Sequence, residues 1–423
     1  MTPGTGAAGG TDTTRPPVSA TPDGSPDPVP LLRPADGLPP VTATADDLAR
    51  VAAAIAGGSG PVAVDAERAS GFRYSQRAYL VQLRRAGAGS ALVDPIPLRG
   101  ELGPLAEALD GPEWVLHAAS QDLPCLAELD LRPASLFDTE LAGRLAGLPR
   151  VGLGPMVENL LGLGLEKGHG AADWSRRPLP EDWLVYAALD VEVLVDLRTV
   201  LTRMLDEQGK LDWARQEFEA VRTAPPPPPR AEPWRRTSGI HKVRRPRPLA
   251  AVRELWQARD SLAAERDIAP GRVLPDAAIV DAAVRNPDSP QALAELPVFR
   301  GRSQRRLARY WFDALRRAAD LPEAELPRGA ATTDGPPPAS RWADRDPDAA
   351  ARLAAARAAL TTVSEQHDVP VENLLQPDLL RRVCWTPPTD GDLPAALAAG
   401  GARRWQVELL APLLEPALAT RAR

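Results

Sequence analysis

The sequence predicts an α/β domain with a mixed β-sheet, followed by two small all-α bundles. Short apolar runs lie between residues 61 and 117, first in a pattern that predicts hairpins and then alternating with helical patterns. A five-proline run, Pro225 to Pro229, is typical of a polyproline spacer. After it a helical pattern recurs, since Ile268 corresponds to Val369 and Ile279 to Leu380, an offset of 101 residues.

Length and composition agree with several soluble domains. The chain has 423 residues, more than one compact core accommodates, and its content of 44% hydrophobic and 25% charged residues is ordinary for globular protein. The net charge of -6 excludes a polycation as a whole, so any contact with nucleic acid must come from local basic patches. Cys125 and Cys384 lie far apart in the sequence and do not have the close Cys/Cys or Cys/His spacing of metal ligands. This argues against a disulfide framework or a structural zinc site.

The predicted compartment is the cytoplasm. Met1 is followed by small and polar residues and not by a basic region with an apolar core, so no signal peptide is predicted. No segment reaches the ~18 consecutive apolar residues of a membrane span. We therefore expect no membrane partner, and a reducing compartment suits the two isolated cysteines.

The N-terminal part is predicted to become ordered near residue 41. Residues 1–40 are rich in Pro, Gly, Thr and Asp without a hydrophobic period, which predicts a disordered tail. Thr44 is placed to cap a helix, with Asp47 three residues later. That helix should run through Ile55 and end at Gly57.

The remaining α/β elements follow in order up to residue 222. Predicted strands cover residues 62–64, 79–83, 91–93 and 114–117, with one helix at residues 102–109. Residues 153–205 have a helical pattern with breaks, and residues 181–205 carry apolar side chains at continuous helical spacing. The α/β domain is thus expected to span residues 41–222.

The second half is predicted to hold two separate helical bundles. Residues 223–248 form a Pro-rich and basic linker, which is either solvated or a surface that guides a nucleic-acid strand. The first bundle is placed at residues 249–320, a second linker at residues 321–343, and the second bundle at residues 344–420.

Three stretches offer carboxylates for a cation site. Asp65 and Glu67 end an apolar strand and share one face of it, where their mutual repulsion would be relieved by a divalent cation. Asp122 follows the strand at 114–117 in a turn that begins a helix. Tyr186 and Asp190 lie four residues apart, on one face of a helix.

Each stretch also has a purely structural interpretation. Asp65 and Glu67 could be a solvated strand end, Asp122 a residue in the first turn of a helix, and Asp190 the edge of a helical face beside a packed Tyr186. A two-metal phosphodiester site requires several carboxylates that converge on cations ~3.5–4 Å apart. The combination of the three stretches favours that site.

Together these motifs resemble the DEDD superfamily of 3′–5′ exonucleases, in the Tyr-containing branch that includes ribonuclease D. D-x-E is matched by Asp65 and Glu67, the acid after an H-A pair by Asp122, and Y-x3-D by Tyr186 and Asp190. The His-containing branch would carry His at position 185, where this chain has Val. Further family-like segments are Phe137 to Ala142 and the D-W-x-x-R-P-L run beginning at residue 173, where Glu140 replaces a more usual Gln.

The helical repeats resemble HRDC domains, which bind nucleic acid. The first copy agrees with that pattern through Trp256, Arg259 and Arg266. The second copy is degenerate, with Arg357 where the first has Trp256. We therefore expect the second copy to be a structural partner more than a binding module.

The resemblance implies a ribonuclease H-like fold and a hydrolytic 3′–5′ exonuclease that acts on RNA with a free 3′ end. Two Mg²⁺ or Mn²⁺ ions would be held by the four acids, Asp65, Glu67, Asp122 and Asp190. Tyr186 would orient the attacking water. No obligate protein partner is implied. Two alternatives stay open, a DNA 3′–5′ exonuclease and an inactive nucleic-acid-binding scaffold.

Basic residues outside the acidic motifs are weaker candidates for nucleic-acid contact. Lys167 and Arg177 could contact backbone phosphates, although solvated Lys and Arg are commoner than functional ones. Arg302, Arg305 and Arg306 form a basic face in the first bundle, near Tyr310 and Trp311. The alternative for these three is a plain solvated helix face.

Overall fold

The computed structural model describes residues 27–166, 168–327, 335–388 and 392–422. Within these ranges the predicted architecture is confirmed: an α/β domain with a mixed sheet comes first, and helices make up the rest of the chain. Among the residues described, no helix has both the length and the apolar character required to cross a membrane.

Six of the eight strands among the described residues form the mixed sheet that supports the rest of the domain. The strands in chain order are β1 (Val29–Leu31), β2 (Val41–Thr42), β3 (Ser59–Arg68), β4 (Ala78–Ala86), β5 (Gly89–Val93), β6 (Glu113–Leu116), β7 (Ser135–Asp138) and β8 (Leu163–Leu165). The sheet order is β2-β5-β4-β3-β6-β7, and β1 and β8 form a separate two-stranded sheet. Strand β3 pairs antiparallel with β4 and parallel with β6, so it occupies an inner position.

The four predicted strands are all present, as parts of β3, β4, β5 and β6. Their apolar residues are almost fully buried; Val62, Val64 and Trp114, for example, have no exposed surface. Strand β7 was not predicted, because its two apolar residues are too few to establish a period.

Our prediction of a disordered tail over residues 1–40 was wrong for its last part. Residues 1–26 lie outside the described ranges, but Val29–Leu31 forms β1 and pairs in parallel with Leu163–Leu165 of β8. Val29 N donates to the carbonyl oxygen of Gly162 at 2.8 Å. A partner more than a hundred residues away creates this strand, so no local pattern could have predicted it.

The helices of the α/β domain flank the sheet. They are α1 (Ala45–Gly57), α2 (Gly103–Leu109), α3 (Leu123–Ala127), α4 (Thr139–Leu145), α5 (Leu153–Leu161), α6 (Glu181–Glu192), α7 (Leu194–Glu207) and α8 (Leu211–Arg222). The predicted cap of α1 is confirmed, since the Thr44 side chain accepts a hydrogen bond from Asp47 N.

The predicted continuous helix over residues 181–205 is two helices. Helix α6 ends at Glu192, and α7 begins at Leu194. Val193 between them is buried, with 2% of its surface exposed. Because apolar side chains keep helical spacing across this junction, the sequence period does not reveal the break.

Two copies of one helical arrangement make up the second half. The first contains α9 (Pro246–Arg266), α10 (Pro270–Val273), α11 (Asp276–Arg285), α12 (Pro290–Ala294), α13 (Arg302–Arg306) and α14 (Ala308–Asp320). The second contains α15 (Trp342–Arg345), α16 (Pro347–His367), α17 (Val371–Leu374), α18 (Pro377–Trp385), α19 (Leu393–Ala399) and α20 (Arg404–Leu418). Helices α9 and α16 both have 21 residues and both end at a left-handed Asp, Asp267 and Asp368, which confirms the predicted repeat.

The second bundle is not the separate unit that we expected, because its core is continuous with that of the α/β domain. The rings of Trp213 on α8 and Trp405 on α20 stack with centroids 4.6 Å apart. Lys210 Nζ donates to the carbonyl oxygen of Leu145 at 2.8 Å and also bonds that of His367. The first bundle has a core of its own, which includes Trp234 from the predicted linker.

The first bundle contacts the loop between β3 and β4, residues 69–77. Ala269 N donates to the carbonyl oxygen of Phe72 at 3.0 Å, and Arg272 Nε donates to that of Gly71 at 2.7 Å. Ser75 N donates to Asp267 Oδ1 at 2.8 Å. The bundle thus fixes the loop that follows Glu67 and Arg68.

Candidate active site

Asp65 and Glu67 lie on one face of β3, as strand alternation predicted. Asp65 is opposite Gln82 of β4, and Glu67 is opposite Leu80. Glu67 is buried, with 7% of its surface exposed. This is a costly position for two carboxylates unless a positive charge joins them.

Helix α6 brings the third acid to this face. It packs against β3, β4 and β5 and carries Tyr186 and Asp190. One carboxylate oxygen from each of Asp65, Glu67 and Asp190 lies within 4.8 Å of the other two. We call these three residues the acidic cluster.

Asp122 lies beside the acidic cluster and not within it. It follows a turn after β6 in which Ala118 adopts a left-handed conformation, with φ of 56°. Asp122 and Tyr186 line the same cleft as the cluster, a space of about 420 Å³. The Oδ1 atom of Asp122 is 3.6 Å from Nη2 of Arg68. The structure thus places all five predicted site residues on one cleft and brings three of the four acids into mutual contact range.

Burial and mutual repulsion dominate the electrostatics of the cleft. Burial raises the pKa of Asp65 to about 6. Burial, and then the charge of Asp65, raises the pKa of Asp122 to about 8 and that of Asp190 well above its usual value. For Glu67, burial and then the neighbouring carboxylates raise the pKa to about 10. All four acids are therefore harder to ionise because they are buried, and all but Asp65 also because of neighbouring carboxylates, which is the situation that a divalent cation reverses.

The chemistry of these donors fits hard divalent cations. Every candidate ligand is a carboxylate oxygen, the type that Mg²⁺ and Mn²⁺ prefer. The three oxygens of the acidic cluster are close enough to share one ion. Asp122, which lines the same cleft, offers a further ligand.

Asp138, which the sequence analysis did not assign to the site, holds the turn that carries Asp122. Its Oδ1 and Oδ2 accept hydrogen bonds from Ala118 N at 3.2 Å and Ala119 N at 2.9 Å. Oδ1 also accepts from Glu140 N at 2.9 Å and so caps α4. Burial raises the pKa of Asp138 to about 6. An Asp immediately before a helix is an N-cap signal that could have indicated this role.

Three family models match consecutive parts of the chain. Residues 40–206 match a model described as 3′–5′ exonuclease, and residues 249–315 match the HRDC domain. Residues 335–418 match a third model, described as the 3′ to 5′ exonuclease C-terminal domain. The HRDC prediction is thus confirmed for the first bundle, whereas the second bundle matches a different description.

Similar proteins decide the family. Ribonuclease D of Gluconacetobacter diazotrophicus is 31% identical over 342 residues, which are 79% of this chain and 82% of that protein. The chain belongs to the ribonuclease D family. Ribonuclease D of Nitrobacter hamburgensis is also 31% identical, over 70% of this chain and 73% of that protein. The protein is therefore a hydrolase of the 3′–5′ exonuclease type.

Solved structures agree with membership of the ribonuclease D family. A protein from Bifidobacterium adolescentis has a TM-score of 0.85 at 37% identity and covers 92% of this chain and 99% of its own. Escherichia coli RNase D, described as an exoribonuclease involved in structured RNA processing, has a TM-score of 0.66 at 26% identity. It covers 90% of this chain and 98% of its own. The predicted fold class is confirmed.

Arg177 does not belong to the nucleic-acid surface that we predicted. Its guanidinium group donates to both carboxylate oxygens of Asp94, at 2.6 and 2.9 Å. Three further bonds go to the carbonyl oxygens of Tyr79, Trp174 and Arg176. All five N–H donors are used inside the protein, so we correct this prediction to a structural role.

The other predicted contacts of this ribonuclease D family member remain predictions. Lys167 lies outside the described residues. Arg302, Arg305 and Arg306 are on α13 and exposed to solvent. Gln304 anchors this short helix by donating to the carbonyl oxygen of Val273 at 2.6 Å. These arginines are thus accessible to a ligand, but their positions do not indicate which ligand they would bind.

Proposed function

We propose that this protein is a 3′–5′ exoribonuclease that releases nucleotides singly from a free RNA 3′ end, in the maturation or turnover of RNA. Two divalent cations, Mg²⁺ or Mn²⁺, would assist it. The observation that carries the proposal is the convergence of Asp65, Glu67 and Asp190 within 4.8 Å, in a cleft that Asp122 and Tyr186 also line.

The acidic cluster and Asp122 are the residues that would hold the cations. When bound, the cations would supply Lewis-acid activation of the attacking water and charge stabilisation at the leaving oxygen. The protein contributes carboxylates fixed on β3 and α6, two elements that the sheet core holds rigidly. It also supplies the Asp122 turn, which Asp138 keeps in place by accepting hydrogen bonds from Ala118 N and Ala119 N.

Tyr186 would orient the water without removing its proton. Burial, and then the charges of Asp190 and Glu67, raises the pKa of Tyr186 above its usual value. The phenol therefore stays protonated near neutral pH and can donate a hydrogen bond. His117 is a poor alternative base, because burial lowers its pKa to about 4 and its ring nitrogen already contacts Thr139 at 2.9 Å.

A covalent protein intermediate is not needed in this scheme. Among the described residues that line the part of the cleft around the acidic cluster there is no Ser, Thr or Cys to act as a nucleophile. Cys125, close by in sequence to Asp122, is buried, and that burial raises the pKa of its thiol to about 12. Hydrolysis by water is the route that these side chains favour.

RNA is the substrate class we propose on the strength of the relatives. The curated relatives are called ribonuclease D, and the Escherichia coli structure is described as an exoribonuclease. Carboxylate and cation chemistry does not itself distinguish sugars, since only contacts to the 2′-hydroxyl do so. A preference for DNA is therefore an outcome that the experiment must be able to reveal.

The test replaces Asp65 or Asp190 by Asn and follows digestion of an end-labelled RNA. Each substitution should lower the rate roughly 100-fold or more, as removal of one electrostatic stabiliser typically does. Asp206→Asn is the matched control, because Asp206 is an exposed acid on α7. Undiminished digestion by either site variant would contradict the proposed site.

A further inference from the structure

Arg68 directly follows Glu67 and lines two adjoining parts of the cleft. One part contains the acidic cluster. The other, of about 280 Å³, continues past Ser70 and Gly71 toward the first bundle. The β3–β4 register shifts between Glu67 and Arg68. Such an irregularity breaks strand alternation and accounts for a side chain that reaches the same cleft as its neighbour.

Arg68 interacts with the described acids of the cleft through its charge only. Its Nη2 is 3.6 Å from Oδ1 of Asp122, longer than the ~2.7–3.2 Å of a hydrogen bond, and its charge also lowers the pKa values of Asp65 and Glu67, against the larger effect of burial. No hydrogen bond joins the Arg68 side chain to any residue that the structure describes. The side chain is 27% exposed. A guanidinium group with five N–H donors thus lines the cleft without donating a hydrogen bond to a described residue.

Other arginines around this part of the domain are bound to protein groups. Arg177 uses all its donors, as described above. Arg73 Nε donates to Ser175 Oγ at 2.7 Å, and Arg84 Nη1 donates to Asp36 and Ser90 at 2.9 and 2.8 Å. Arg68 therefore differs from these three in its availability.

A cleft lined by five carboxylates, those of the four predicted acids and that of Glu166, repels the phosphates of an approaching strand. The guanidinium fork matches phosphate oxygens in shape and charge. We propose that Arg68 binds a phosphate group of the substrate strand beside the bond that is cut, an inference that rests on the proposed exonuclease function. The part of the cleft past Ser70 and Gly71 is then the path of the strand.

Asp122 explains how Arg68 becomes available to the substrate. Arg68 lies next to the Asp122 carboxylate and partly offsets its charge. A cation held by Asp122 would offset that charge instead and would leave the guanidinium group to the phosphate. Arg68 and the cation thus compete for Asp122. Removing Arg68 should weaken RNA binding and strengthen cation binding, whereas loss of a merely structural residue would weaken both.

The experiment measures both affinities in Arg68→Gln. RNA binding is followed by fluorescence anisotropy of a single-stranded RNA in Ca²⁺, with gel analysis to verify that the RNA stays intact, over a series of salt concentrations. We expect roughly tenfold weaker binding and a plot of log K against log salt that is shallower by about 0.7, the value for one phosphate contact on a single strand. Mn²⁺ titration calorimetry without RNA should give about two- to fivefold tighter cation binding.

Two further variants control this test. Arg68→Lys keeps the positive charge and loses the forked guanidinium group. It should therefore bind RNA less tightly than the unmodified protein, with the same dependence of log K on log salt concentration. If Arg68→Gln does not fold, Arg68→Lys is the variant that tests the proposal. Arg50→Gln removes an exposed arginine from α1 and should change neither affinity. Unchanged RNA affinity and salt slope in Arg68→Gln, or weaker cation binding, would overturn the proposal.

Hydrolysis by the unmodified protein separates this proposal from the one on which it rests. If that protein shortens RNA from the 3′ end while Arg68→Gln binds RNA normally, only the role of Arg68 is wrong. If the unmodified protein with Mg²⁺ or Mn²⁺ does not shorten RNA at all, the proposed function itself fails.

Discussion

Replacing Glu67 by Gln is expected to make the cation-free protein more stable while it removes activity. Burial and the neighbouring carboxylates raise the pKa of Glu67 from 4.5 to about 10. Between these values the folded protein binds a proton that the unfolded chain has lost. By linkage, the free energy of unfolding must therefore fall as the pH rises through this window.

The magnitude follows from the distance between the working pH and the ordinary pKa. The ordinary pKa of 4.5 lies 2.5 units below pH 7. Each unit corresponds to about 1.36 kcal/mol of unfolding free energy. The upper bound is thus about 3 kcal/mol, and we expect a measured gain of about 1–3 kcal/mol. Gln has the size of Glu and no charge, so Glu67→Gln removes this penalty without opening a cavity.

The assay is urea unfolding in EDTA at pH 7 and pH 4. Glu67→Gln should be more stable than the unmodified protein at pH 7 and nearly equal at pH 4, where both the folded and the unfolded carboxyl groups are protonated. Saturating Mg²⁺ should reduce this difference in stability, because cation binding raises the free energy of unfolding of the unmodified protein more than that of the variant. Glu107→Gln, at an exposed position of α2, is the control. A variant that is no more stable at pH 7, or a gain that persists at pH 4, would refute the reasoning.

Three further substitutions test the packing around the site. Arg177→Met leaves the buried carboxylate of Asp94 without its partner and should lower the free energy of unfolding by about 3–5 kcal/mol. The slope of log K for RNA binding against log salt concentration, measured by anisotropy, should stay unchanged. Trp405→Ala removes a stacked, buried indole and should lower stability by about 3–5 kcal/mol in urea unfolding; a loss below about 1 kcal/mol would show that the second bundle is not held through this contact. Asp267→Asn keeps the left-handed cap of α9 and removes the negative charge of the carboxylate that accepts a hydrogen bond from Ser75 N. We expect the free energy of unfolding to fall by about 1 kcal/mol and amide hydrogen exchange in residues 69–77 to become faster. Unchanged exchange would contradict the role of the first bundle in fixing that loop.

Local periodicity was enough to pair four of the five candidate site residues. Strand alternation placed Asp65 and Glu67 on one face, and the i, i+4 rule paired Tyr186 with Asp190. Neither rule says that α6 crosses β3 at the level of these acids. That step came from the resemblance to a known family, and the 4.8 Å cluster agrees with it.

What the sequence did not predict depends on partners distant in the chain. Strand β1 exists because β8 pairs with it, and Arg177 is structural because Asp94 lies opposite it. The position of Arg68 in the cleft was missed because simple alternation places it on the face opposite to Glu67, and the register shift after Glu67 cannot be read from composition. Stacking of Trp213 on Trp405 likewise joins helices almost two hundred residues apart.

Product length on matched substrates tests the central claim most directly. Purified protein with Mg²⁺ or Mn²⁺ is given RNA and DNA of one sequence, labelled at the 5′ end and free at the 3′ end. The account predicts a ladder of RNA shortened one nucleotide at a time, with release of mononucleotides. Internal cuts, or shortening of DNA in preference to RNA, would contradict it.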